Sequence, residues 1–373
     1  MNVRTLNQFS VLSTLASALA LVCAVTAFLL IAGTAQAANG GANADGPAKA
    51  TVRIKLKGLK KHRATIMQKV TVKGSLKPFR NLQKVRVYLY RDGKRFSARR
   101  VKVKKAGGNY GSFRTSFYIR KGTRYGVRAK YWGKAGHRPV SKDSTEHKTF
   151  RVRYVGLAHD QCGRVVAGFR KALNRLALVP AQGRCFNGKM ERAVLAYRKL
   201  NDMSRNARAS KTIVKRVFNG KGGYRVRRPG LGDHMEAPLS KQVIVFSKGR
   251  KPYAIFPIAS GAPATPTILG TYSFYWKDPG YNSLGMYYSS YFIRGYATHG
   301  YKSVPDYPAS HGCLRTFISD QPRIYKITEI GMKVYTFGNA FRGKVAPYKV
   351  KNSGGDLGPD LGATGGLDPS SLD

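Results

Sequence analysis

Residues 298–316 read THGYKSVPDYPASHGCLRT: a His, a loop rich in Gly and Pro, then the cluster Ser310-His311-Gly312-Cys313. A thiol is a useful nucleophile only as thiolate, and an imidazole within hydrogen-bond reach can take its proton. Gly300, Pro305, Pro308 and Gly312 let the intervening chain double back so that His299 and Cys313 meet. Gly312 permits a tight turn before Cys313, leaving the amide there to face an oxyanion. Asp306 lies in the loop, but no carboxylate sits beside His299, so the carbonyl of Gly300 is the expected group that fixes its tautomer. The plain alternatives are a buried structural thiol for Cys313 and a packing role for His311.

Upstream, the run Tyr291 to His299 reads as one long strand, and period two puts His299 on a face with Ile293 and Ala297. Val243–Phe246 and Tyr253–Phe256, around the turn Ser247-Lys248-Gly249-Arg250, predict a hairpin. The loop Ser260–Thr267 and a strand from Gly270 to Tyr275 follow. A β-rich domain is therefore expected over 231–340. Before it, residues 158–222 change to helical spacing, with Val165, Phe169, Leu173 and Leu176, then Met190, Val194 and Tyr197, then Ile213 and Val217, which predicts a small three-helix bundle. Residues 51–154 alternate with period two between turns such as Arg91-Asp92-Gly93-Lys94, the pattern of an immunoglobulin-like β-sandwich. A spacer with a solvated basic surface is the simple account of this region; a glycan-binding module is the sharper one. The fold class is thus multi-domain and mainly β.

The first 37 residues carry Arg4, an apolar run from Val11 to Gly33 and Ala35-Gln36-Ala37, the features of a cleaved export signal. The run is also near the length that spans a bilayer, so an uncleaved N-terminal anchor is the alternative and the one expected membrane contact. Residues 38–50 read as a flexible linker and 352–373 as a disordered acidic, Gly-rich tail. In an oxidising compartment Cys162 and Cys185 form the simplest disulfide, leaving Cys313 as the unpaired thiol of the mature chain. Lys and Arg number 67 against 17 Asp and Glu, a formal net charge of +50. Such a charge implies a polyanionic partner. Export and the lack of any groove-reading motif favour anionic cell-wall polymers over nucleic acid.

The 298–316 window resembles the catalytic motif of the L,D-transpeptidase (YkuD-type) family: a His, a variable loop, then Ser/Thr-His-Gly-Cys. The stretch LSKQVIVFSKGRKPYAIFPIASGAPATPTILGTYSF resembles that family's opening strands. Residues 168–200, GFRKALNRLALVPAQGRCFNGKMERAVLAYRKL, are similar to a peptidoglycan-binding helical repeat. The resemblance implies Cys313 as nucleophile, His299 as base, Gly300 as orienting carbonyl and the amides near Gly312 and Cys313 as oxyanion hole. Ser310, His311 and Arg315 are implied on the substrate side, Arg315 either gripping a substrate carboxylate or bracing the loop. It further implies an extracytoplasmic enzyme that makes 3-3 cross-links between peptidoglycan stem peptides with no metal or organic cofactor. An L,D-carboxypeptidase and a non-catalytic wall-binding protein are the alternatives.

Overall fold

The computed structural model describes residues 50–131, 146–178 and 183–341. The expected export segment 1–37, the linker up to residue 49 and the acidic tail lie outside the described residues. Among the described residues no helix is long and apolar enough to cross a membrane.

The front of the chain forms two sheets. One has the order β1 (Thr51–Lys57), β3 (Lys69–Lys77), β7 (Tyr110–Tyr118), β6 (Lys104–Gly107). The other has the order β2 (Arg63–Thr65), β9 (Glu146–Arg153), β8 (Arg124–Tyr131), β4 (Lys84–Arg91), β5 (Lys94–Lys102). The alternation seen in the sequence places Val52 and Ile54, Val70 and Val72, Val85 and Val87, Phe113 and Phe117, and Val127 and Ala129 in the shared core, with Lys and Arg outside.

Three helices follow: α1 (Arg164–Asn174), α2 (Gly188–Leu200) and α3 (Lys211–Phe218). Asn187 and Ser210 cap α2 and α3 by accepting from the amides of Met190 and Ile213, the preferred N-cap chemistry. The buried stripe of α1 is Val166, Phe169, Ala172 and Leu173; Leu176 falls beyond the helix end. A disulfide joins Cys162, just before α1, to Cys185 in the α1–α2 connection. The helices do not stand as a separate bundle, because their apolar residues share one continuous core with the sandwich and with Val243, Val245 and Ile255 of the next region.

That region holds two further sheets, β12 (Lys251–Pro257), β11 (Val243–Lys248), β10 (Asp233–Pro238), β18 (Lys333–Phe337), β13 (Gly270–Ser273), and β14 (Trp276–Tyr281), β15 (Tyr287–Ile293), β16 (Tyr296–Tyr301), β17 (Leu314–Phe317). Met235, Ile244, Phe246, Phe274, Phe292, Leu314 and Val334 fill the space between them, with Ile324 of α4 (Gln321–Ile327). The single long strand expected from Tyr291 to His299 is instead a hairpin. Ile293 pairs with Tyr296 across a turn in which Arg294 adopts φ 44°. His299 therefore shares its face with Ala297 within β16, while Ile293 lies on the preceding strand.

Buried polar groups bind the helices to this region. Arg192 of α2 forms a two-point ion pair with Asp320, 2.7 and 3.0 Å, and lies over the Phe317 ring. Lys199 is fully enclosed and donates to the Ile258 carbonyl at 2.7 Å. Buried Glu236 of β10 accepts from the amides of Arg227 and Arg228 and from the Tyr224 hydroxyl, fixing the connecting segment.

Candidate active site

His299 stands in β16 and Cys313 immediately precedes β17. These strands are parallel neighbours, with His299 opposite Arg315 and Thr298 opposite Leu314. Period two places Ala297, His299, Tyr301, Cys313 and Arg315 on one face, while Leu314 enters the core. Cys313 is thus one strand across and two residues back from His299, about 4.8 Å and about 6.6 Å in the two directions. The chain between them is a parallel crossover, which brings residues 14 apart in sequence onto adjacent strands.

The His299 ring is buried and its Nδ1 lies 3.1 Å from the Gly300 carbonyl. A carbonyl can only accept, so Nδ1 carries the proton and Nε2 is left as the basic nitrogen. Tyr301 packs edge-on at 5.6 Å. Burial, assisted by the Arg315 charge, lowers the imidazole pKa to about 4 against the support of Gly300. Burial likewise pushes the Cys313 thiol up, opposed by the Ala297 backbone and by Arg315. Both groups are therefore neutral at rest near pH 7. The sulfur of half-buried Cys313 donates toward the Gly295 carbonyl at 3.6 Å, and no hydrogen bond joins it to His299.

The elbow before Cys313 is held from within. Ser310 Oγ accepts the Gly312 amide at 3.1 Å and donates to the Cys313 carbonyl at 2.6 Å. Gly312 has φ 108°, and a Cβ there would lie 2.0 Å from the Tyr296 ring, so glycine is required twice over. The Gly312 amide is thus already engaged inside the turn. Ser310 is buried and both hydrogen bonds of its hydroxyl lie inside the turn. His311 is exposed. Arg315 donates to the Ala309 carbonyl at 3.0 Å and lies over the Tyr301 ring at 4.2 Å, the bracing geometry of the two alternatives.

Several supporting residues escaped the sequence. Gln242 donates to Ser260 Oγ and accepts the Ser260 amide, and the Ser260 carbonyl takes the amides of Ala309 and Ser310. Thr265 and Thr267 donate to the carbonyls of Ser310 and Gly312. From the helical region, Arg205 donates to the carbonyls of Asp306 at 2.7 Å and Ser240 at 3.2 Å. Asp306 is fully buried, and its charge acts on both Arg205 and Lys199. Burial, with Arg205 nearby, lowers the Lys199 amine to about 7. The turn Thr265-Pro266-Thr267 is the only one of these features that a sequence marks.

A carbonyl-oriented imidazole beside a thiol on a glycine elbow has the composition of a cysteine acyl-transfer site. Residues 233–336, from β10 into β18, match the model of YkuD, the L,D-transpeptidase catalytic domain. Among solved structures, the L,D-transpeptidase (residues 123–326) from Xylanimonas cellulosilytica DSM 15894 is 22% identical over 49% of this chain and 98% of its own, with a TM-score of 0.45. The catalytic domain of the E. faecium L,D-transpeptidase is 24% identical over 28% of this chain and 96% of its own, TM-score 0.25. An L,D-transpeptidase from Mycobacterium tuberculosis H37Rv is 10% identical over 77% and 98%, TM-score 0.27. No curated protein matches the chain. The family match does not reach residues 158–222.

Proposed function

We propose that this protein is an exported L,D-transpeptidase that joins peptidoglycan stem peptides through 3-3 cross-links. The observation that carries the proposal is His299, its Nδ1 fixed by Gly300, on the strand parallel to the one that Cys313 opens, inside the matched segment. Cys313 Sγ attacks the carbonyl of the third residue of a stem tetrapeptide while its proton passes to His299 Nε2. The Cys313 amide faces the oxyanion. The C–N bond to the terminal D-Ala breaks, and His299 returns the proton to the leaving amine. An acceptor amine then attacks the thioester, gives a proton to His299, and releases the thiol with the new amide bond formed. Water in place of the amine would give the L,D-carboxypeptidase reaction at the same site.

The test is incubation of the full chain with a purified tetrapeptide or with sacculi, followed by mass spectrometry of the products. Wild type should give cross-linked dimer with loss of D-Ala, and Cys313→Ala none. Identical products from both would overturn the proposal; a hydrolysed tripeptide alone would replace it by the carboxypeptidase.

A further inference from the structure

The outer face of the front sheet β2-β9-β8-β4-β5 carries a feature that the acyl-transfer chemistry does not use. Arg63 pairs across strands with Arg151, and Arg151 with Arg124. Three exposed guanidinium groups therefore stand in one row at strand spacing, about 4.8 Å from strand to strand. Like charges directly opposite one another destabilise a sheet. The row opens onto two adjoining hollows. One of about 830 Å³ is lined by Tyr90, Arg124, Arg128, His147 and Thr149; one of about 400 Å³ by Lys61, Arg63, Arg124 and Arg151. Arg124 and Thr149 border both hollows, and Gly126 lines the larger one, where a Cβ would fall 2.6 Å from His147 Nε2. The nearby carboxylate Asp92 is engaged with the Thr123 hydroxyl and the Arg124 amide. Residues 51–154 as a whole contain 32 Lys and Arg against three acidic residues, Asp92, Asp143 and Glu146.

We infer that this groove binds a linear phosphodiester polymer that lacks nucleobases. The cost of holding Arg63, Arg151 and Arg124 side by side is offset when an anion lies across them. A planar carboxylate matches one guanidinium fork, whereas a tetrahedral phosphate accepts N–H groups converging from several directions. Of the rings that line the larger hollow, Tyr125 is buried in the core and Tyr90 is half-buried and edge-on to His147, so the exposed His147 imidazole is the one ring there open to a base, and a row of successive stacked bases has no matching row of rings. Such a site would hold the enzyme on an anionic polymer by its front sheet, at a place distinct from His299 and Cys313, and it stands or falls independently of the proposed reaction.

A matched control exists on the other sheet, where Lys55, Lys73 and Arg114 form a like-charged exposed row that borders neither hollow. The experiment measures binding of poly(glycerol phosphate) to the full chain at about 0.15 M salt, where longer-range attraction is screened. It compares Arg63→Gln/Arg124→Gln/Arg151→Gln with Lys55→Gln/Lys73→Gln/Arg114→Gln. The groove variant should lose 10-fold or more in affinity and the control variant less than 3-fold. Both should unfold at or above the wild-type temperature, since each removes like-charged neighbours. Poly-glutamate and single-stranded DNA of equal charge should bind wild type at least 10-fold more weakly. Equal losses in the two variants would overturn the groove in favour of diffuse charge. Tighter or equal binding of poly-glutamate or DNA would overturn the assignment of the polymer.

Discussion

Replacing Arg205 by Met tests whether the helical region is part of the catalytic machinery or merely tethered to it. Arg205 follows α2, yet its guanidinium supports the loop between His299 and Cys313 through the Asp306 carbonyl, and β10's exit through the Ser240 carbonyl. Removing it leaves two carbonyls without these donors, at about 1 kcal/mol each. It also removes a cation acting on the buried Asp306 carboxylate, which adds about 1 to 2 kcal/mol. The expected cost is about 3 kcal/mol of unfolding free energy at pH 8. Lys199 responds as well. Arg205 is one of the groups holding its amine down at about 7, so the variant's Lys199 keeps its proton to higher pH and partly replaces the lost charge. The variant then binds more protons than wild type above pH 7, so its deficit grows as pH rises from 7 to 9. Urea unfolding at pH 6, 8 and 9 measures this, and a cycle with Asp306→Asn should show coupling of at least about 1 kcal/mol. A loss below about 1 kcal/mol at every pH, with activity unchanged, would refute the idea that the helices clamp this loop.

Two further outcomes follow from the site itself. His299 is enclosed with its folded pKa near 4, below the roughly 6.5 of an exposed imidazole, so the unfolded chain takes up the proton first as pH falls. Stability from this group is complete above pH 6.5 and is lost as pH drops through 4, by about 3 kcal/mol at most; urea unfolding of wild type should fall more steeply between pH 7 and 4 than that of His299→Gln. Ser310→Ala removes the hydroxyl that joins the Gly312 amide to the Cys313 carbonyl, so kcat on the tetrapeptide should fall 10-fold or more with KM nearly unchanged. An equal change in both constants would mean that Ser310 contacts substrate after all.

What could be seen in advance depended on whether a signal was local. The front strands announced themselves because one face of each is buried, but β5, KRFSARRVK, did not. It is an edge strand exposed along most of its length, so its sequence carries no alternation. The hairpin of β15 and β16 passed for one strand because apolar residues continue on both sides of Arg294-Gly295, and only backbone geometry reveals the turn. His299, Gly300 and the Ser310–Cys313 elbow are near neighbours in sequence and were legible. Gln242, Ser260 and Thr267 act on that elbow from about 45 to 70 residues away through backbone contacts. Arg192, Lys199 and Arg205 were hidden for a different reason: in a chain with 67 Lys and Arg, a buried cation looks like any solvated one.

The charge on Arg315 can be assigned a role from the direction of its effects. Transfer of the thiol proton to the imidazole is favoured by a lower Cys313 pKa and by a higher His299 pKa. Arg315 lowers both, so its two influences on the transfer oppose each other. It therefore does little to create the thiolate, which leaves its contacts to explain it. Those contacts lead to the Ala309 carbonyl and the Tyr301 ring, while the mutual hydrogen bonds between Arg315 and Ala259 fasten the start of β17 to the strap that follows β12. Tyr301 in turn packs edge-on to His299. Arg315 thus connects His299, the loop before the elbow and the strand that Cys313 precedes. In the proposed acyl transfer, with neither member of the pair charged at rest, the proton moves as the carbonyl is attacked, and a transfer of that kind is sensitive to the distance between Sγ and Nε2. Rigid placement of the two strands is then what the surrounding residues contribute to the reaction.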